Sequence, residues 1–139
     1  MSRFPQASRF LTTMAFLSLT GCGLGGPAHG PAMANAAAVV DMGFSSFNPA
    51  SATIRVGQIV EWRNTSVITH SVTDDHAIAK DPNDASIPAG ATAFNSGDIP
   101  AGHVFVQTFT VPGTYKYFCT HHEGDGMEGT IVVQPAPAS

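Results

Sequence analysis

The sequence predicts an all-β domain, a sandwich or small barrel of about seven or eight short strands. Three observations carry that prediction. From Val39 onward, short runs alternate apolar and polar residues, the period of a half-buried strand. Turn residues punctuate those runs: 14 Gly and 10 Pro stand in 139 residues, some in pairs such as Pro112-Gly113 that end one strand and start the next. No segment has the length and 3.6-residue periodicity of a packed helix.

Taken in order, Val39 to Phe44 is the first strand, and Asn48-Pro49 turns the chain. Thr53 to Val56 alternates, Gly57-Gln58 turns, and Ile59 to Arg63 alternates again. There Val60 and Trp62 share one face, and Glu61 and Arg63 the other. Trp62 is the expected large side chain of the core. Asn64 to Ser66 is a turn, and Val67 to Val72 is a β-branched strand interrupted by His70. Residues 73–91 read as an irregular excursion with one helical turn near Ala77 to Lys80. A short strand begins at Ala93-Phe94. Val104 to Thr110 alternates, with Phe105, Gln107 and Phe109 on one face. Thr114 to Phe118 puts Tyr115 and Tyr117 together, and Thr130 to Val133 closes the domain. The last residues, 135–139, are expected to be disordered.

Composition excludes several functions. Six Lys+Arg against ten Asp+Glu leave a formal charge of -4, the wrong sign for a nucleic-acid binder, which needs a basic face to neutralise phosphates. No polybasic run offers itself to an anionic membrane. Two Cys are too few for a disulfide scaffold. The length suits one domain and is too short for a doubly wound nucleotide enzyme with a second domain.

Residues 1–21 read as a signal segment. Arg3 and Arg9 supply positive charge, and Phe10 to Leu19 is an apolar run shorter than the roughly 20 residues a membrane span needs. Leu19-Thr20-Gly21-Cys22 resembles the lipobox of bacterial lipoproteins. That resemblance implies cleavage before Cys22, a lipid on Cys22, and a protein exported to the periplasm or cell surface and anchored to the membrane. Cleavage near Ala34 is the alternative. Residues 22–38, rich in Gly, Pro and Ala, form a tether, in which His29 has no fixed geometry. The domain proper is then 39–134.

The chemistry lies in the segment from Tyr117 to Thr130. It places a thiol, an imidazole and a thioether in one loop, as Cys119-x2-His122-x4-Met127. A second imidazole, His70, comes from a distant strand. One Cys, two His and a soft axial Met are the ligand set of a trigonal copper site for electron transfer. Thiolate and thioether favour Cu(I), and imidazole suits both oxidation states. Zinc is the metal runner-up, but Met is a poor zinc ligand. A cysteine hydrolase would need an oriented base and an oxyanion hole, and neither is visible. The reading is therefore of a protein without a catalytic substrate site.

These residues resemble the cupredoxins, most closely the plastocyanin and pseudoazurin type. The resemblance rests on Tyr115-Lys116-Tyr117-Phe118-Cys119, then His122, Met127 and Gly129, and on the Pro112-Gly113-Thr114-Tyr115 turn. It implies an eight-stranded Greek-key β-sandwich. It implies one type 1 copper, Cu(II)/Cu(I), held by His70, Cys119, His122 and Met127, with Met127 axial and His122 partly exposed. It also implies single-electron exchange with a redox protein, such as a cytochrome or a membrane electron-transfer complex, docking near His122. Copper delivery or storage is the alternative function. Three features depart from the family pattern. Ser71 stands where Asn usually ties the ligand loops together, and its side chain is shorter. His121 stands where plastocyanins usually have Pro, and is expected to face solvent or back the site. The 73–91 excursion is extra. Glu123, Asp125 and Glu128 add negative charge beside the site, while His76 and His103 are expected at the surface.

Overall fold

Seven strands form over residues 35–138, the residues that the computed structural model describes. They are β1 (Ala38–Met42), β2 (Phe47–Asn48), β3 (Ser51–Arg55), β4 (Ile59–Asn64), β5 (Val104–Thr108), β6 (Gly113–Phe118) and β7 (Glu128–Gln134). One sheet has the order β2-β1-β4-β5 and the other β3-β7-β6. β1 runs parallel to β4, and β3 parallel to β7. The other three pairings are antiparallel. The links from β2 to β3, β3 to β4 and β5 to β6 each pass from one sheet to the other, as in a Greek-key sandwich. The signal segment, Cys22 and His29 lie outside the described residues.

The inward faces are those the alternation marks. Val60 and Trp62 of β4 meet Tyr115, Tyr117, Ile131 and Val133 of the opposing sheet. Trp62 is fully buried and packs edge-on against Tyr117, with ring centroids 5.3 Å apart at 85°. Phe94, Phe105 and Phe109 surround its other sides. Such aromatic pairs contribute about 0.5–1.5 kcal/mol each beyond the area they bury. Glu61, on the opposite face of β4, is buried as well, and accepts a hydrogen bond from Arg63 Nε.

Several elements differ from expectation. Val67 to Val72 forms no strand: His70 bridges only Ile99, and Thr73 bridges Asn95 and Phe118. β-branched residues favour a strand when they pack on a pleated surface, and Val67 is 88% exposed with no neighbouring strand. Ala93-Phe94 likewise starts no strand. The excursion is irregular, but its helical turn is a 3₁₀ turn at Pro82–Asp84, not at Ala77 to Lys80. The Asp81 side chain caps that turn, accepting from Asn83 N–H at 2.8 Å, and Pro82 sits where no donor is needed. β2, which the sequence reading gives to a turn, is a two-residue strand ahead of a cis Asn48–Pro49 bond.

Two features aim the far end of the sandwich. β6 ends at Phe118 and β7 begins at Glu128, so residues 119–127 close a loop between adjacent antiparallel strands. Gly129 lies opposite Tyr117 in that register. A Cβ at 129 would stand 2.2 Å from Tyr117 Cζ, so only glycine lets the phenol ring lie across β7.

Candidate metal centre

Cys119 follows the last residue of β6 and inherits the inward direction of that strand. It is fully buried. The loop then folds back on itself: Cys119 N–H donates to Met127 O at 3.0 Å, His122 N–H to Cys119 O at 3.1 Å, and Met127 N–H to His122 O at 3.2 Å. A 3₁₀ turn at Glu123–Asp125, closed by Gly126 in the left-handed conformation (φ 74°), makes that reversal possible. His70 arrives from the other side. Its backbone exchanges two hydrogen bonds with Ile99, at 3.1 and 2.7 Å, which hold the imidazole fully buried.

The result is a three-residue cluster. The ligand atoms of His70, Cys119 and His122 all lie within 4.8 Å of one another. Cys119 Sγ is 3.8 Å from His70 Nδ1 and 3.6 Å from His122 Nδ1. Metal–sulfur and metal–nitrogen bonds of about 2.3 and 2.0 Å, set 120° apart, put sulfur and nitrogen about 3.7 Å apart. The cluster therefore has the dimensions to hold a single copper ion. Burial, and then the neighbouring His122 imidazole, keep His70 below its ordinary value of 6.5, with the Gly43 backbone opposing them. The ring is neutral at pH 7, the form that binds metal. Met127 is fully buried two residues before Gly129.

The two ligand-bearing segments are tied by Ser71, which stands where an Asn was expected. Its N–H donates to Cys119 Sγ at 3.3 Å. Its hydroxyl accepts from Thr120 N–H at 2.9 Å and pairs with Thr120 Oγ1 at 2.8 Å. The shorter side chain thus still reaches across, because Thr120 supplies a second hydroxyl.

The surrounding charges sort differently from expectation. Glu123 is no surface charge. It is 6% exposed, and Oε1 accepts the backbone N–H groups of Lys80 and Asp81 at 2.5 and 3.0 Å. A carboxylate on two backbone donors fastens the excursion to the metal loop. Nothing in its sequence neighbourhood marks this role, because its partners are 42 and 43 residues away. His121 faces solvent and pairs with Asp98 Oδ1 at 2.8 Å. His76 and His103 are exposed, as expected.

The sequence reading places the protein in the periplasm or at the cell surface, held through a lipidated cysteine. That expectation is corrected here. Among the described residues the cysteine is Cys119, which is fully buried and turned to two imidazoles, so its thiol is not available for acylation. Cys22 lies outside those residues, and the exported, membrane-anchored location is withdrawn.

Comparison with known proteins agrees with this geometry. The profile of copper binding proteins of the plastocyanin/azurin family matches residues 34–134. Plastocyanin of Scenedesmus fuscus is 36% identical over 98 residues, covering 68% of this chain and 92% of that protein. Plastocyanin of Nostoc punctiforme is 35% identical over 97 residues, covering 68% of each. The crystal structure of amicyanin from Paracoccus versutus superposes with a TM-score of 0.60 at 28% identity, covering 77% of this chain and 89% of that one. From the buried thiol, the two converging imidazoles and the matched sandwich around them, this chain belongs to the plastocyanin/azurin family of copper-binding proteins.

Proposed function

We propose that the protein carries single electrons on one type 1 copper held by His70, Cys119, His122 and Met127, within a domain spanning residues 39–134. The observation that carries this reading is the convergence of His70, Cys119 and His122 within 4.8 Å on segments that the fold holds still. Bound copper supplies the Cu(II)/Cu(I) couple. The chain supplies a site that does not need to rearrange between the two states. Ser71 ties the segment carrying His70 to the loop carrying Cys119, and Glu123 ties the same loop to residues 80 and 81. Ser71 N–H donates to the thiolate, which spreads its charge and steadies the thiolate in both states. This tying-down favours a carrier over a protein that stores copper or hands it to a partner.

His122 is the cluster imidazole that is not fully buried, which suits it as the exit for the electron. Phe44 and Val67, 72% and 88% exposed, stand near this end. Phe44 follows Gly43, whose backbone faces His70, and the 64–70 loop bearing Val67 is joined to Met42 by Thr65. An apolar rim of this kind suits brief docking of a redox protein such as a cytochrome.

Adding one equivalent of Cu(II) to the copper-free protein, with visible absorption and electron paramagnetic resonance, tests the reading. An intense thiolate-to-copper band with narrow hyperfine splitting is expected, and Cys119→Ala should abolish it. A pale product from the unaltered protein, or full colour in Cys119→Ala, overturns the site. Slow loss of copper to a chelator over repeated redox cycles separates a carrier from a delivery protein.

A further inference from the structure

His70 presents Nδ1 to the cluster, and its other ring nitrogen has a partner of its own. Nε2 lies 2.9 Å from Ser66 Oγ. Which of the two atoms carries the proton follows from Asn64. Its Nδ2 spends its two hydrogens on backbone carbonyls, Ile68 O at 2.7 Å and Ile99 O at 2.8 Å. That fixes the amide orientation, so Asn64 Oδ1 is an acceptor. Ser66 Oγ is 2.7 Å from this Oδ1 and 3.2 Å from Ile68 O. Neither oxygen can donate. At 2.7 Å from an oxygen that only accepts, Ser66 Oγ is placed to give its one hydrogen to Asn64 Oδ1; it accepts the Ile68 N–H at 3.3 Å and keeps a lone pair for His70. This arrangement calls for the ring proton on Nε2 and leaves the lone pair of Nδ1 facing Cys119.

We propose that Ser66, oriented by Asn64, is a positioning residue that sets the tautomer and ring angle of His70 before metal arrives. The proposal deepens the copper reading above and rests on it only for what binds at Nδ1. The chain of bonds runs Asn64 Oδ1 to Ser66 Oγ to His70 Nε2, and each group has one role available to it. Asn64 is 2% exposed and His70 fully buried, with the half-buried Ser66 between them. Asn64 also braces the metal end directly, because Ile99, which receives its Nδ2, is the residue paired with the His70 backbone. One asparagine thus secures both the backbone and the ring of the buried imidazole. The Gly43 carbonyl also faces His70. It too can only accept, so it is the rival to Ser66 for the ring proton and the test must separate them.

The tautomer is read by long-range ¹H–¹⁵N correlation on copper-free, ¹⁵N-histidine-labelled full-length protein above pH 7, with Ser66→Ala and Ser66→Thr compared. The unaltered protein should show His70 as a single Nε2–H tautomer. In Ser66→Ala the His70 signals should split or broaden between tautomers, and the copper-loaded variant should release copper to a chelator about 10–100-fold faster, the usual cost of losing a partner behind a ligand. Ser66→Thr, which keeps the hydroxyl, should restore both. An Nδ1–H tautomer in the unaltered protein overturns the proposal without any variant. An unchanged tautomer and unchanged copper release in Ser66→Ala assign the task to the Gly43 carbonyl and overturn it equally. A protein with the expected tautomer that fails to turn blue refutes the copper reading and leaves this inference standing.

Discussion

Asp74 allows the energetics of the fold to be tested through one carboxyl group. It is fully buried. Oδ1 accepts the Phe94 N–H at 2.7 Å, but Oδ2 has no hydrogen-bond partner. Burial raises its pKa from 3.8 to about 6, backbone donors oppose the rise, and Asp75 adds to it slightly. The Tyr115 phenol, whose own pKa is raised by burial and then by Asp74, supplies no positive charge. The native state therefore binds the Asp74 proton more tightly than the unfolded state does. Stability is highest below about pH 4 with respect to this group, and falls as pH rises through 4 to 6. A rise from 3.8 to about 6 makes the loss at most about 3 kcal/mol. Asp74→Asn keeps the acceptor for Phe94 and cannot ionise. Urea unfolding of the copper-free protein, followed through the buried Trp62, gives the stability of both forms from about pH 4 to 7.5. The difference between them should shift in favour of the variant by up to about 3 kcal/mol across that range, with other titrations cancelling. A difference flat to within about 0.5 kcal/mol, the scatter of neutral surface changes, would refute the argument.

Three further outcomes are expected. Gly129→Ala should cost about 1–3 kcal/mol in unfolding experiments, because its Cβ would overlap the buried Tyr117 ring. Ser71→Ala should lower stability by about 1–2 kcal/mol and speed copper release, yet keep the blue band, since the backbone N–H on Cys119 Sγ remains. Met127→Leu should keep the colour and raise the reduction potential in voltammetry, because a soft axial donor is removed.

The sandwich was legible because its strands alternate cleanly: Trp62, Tyr115 and Tyr117 are buried where periodicity puts them. The three-residue cluster was legible because Cys119, His122 and Met127 stand together in one loop at a spacing that suits a metal, with His70 on a separate segment. Less visible was whatever depends on contacts distant in sequence. Val67 to Val72 looks like a strand by residue type, but no neighbouring strand receives it. The tie from Glu123 to residues 80 and 81 spans 42 residues or more. The link between Ser66 and His70 is local, and an Asn-x-Ser turn was seen there. Its bearing on the metal end appears only when the donors and acceptors are counted in space. The 3₁₀ turn at Pro82–Asp84 carries a local signal, Asp81 followed by Pro82.

The bond between Glu123 and the amides of Lys80 and Asp81 has a consequence for how the molecule reports its own state. A loop cannot open at one end of a hydrogen bond without releasing the other. Any ligand that holds residues 119–127 closed must therefore also slow hydrogen exchange at amides 80 and 81. Linkage is reciprocal: a protein that binds better with residues 80 and 81 held to Glu123 tightens the hold on the metal by the factor by which metal tightens its own binding, and one that prefers them released loosens that hold. The excursion is, in this sense, a handle on metal occupancy set at a distance from the metal.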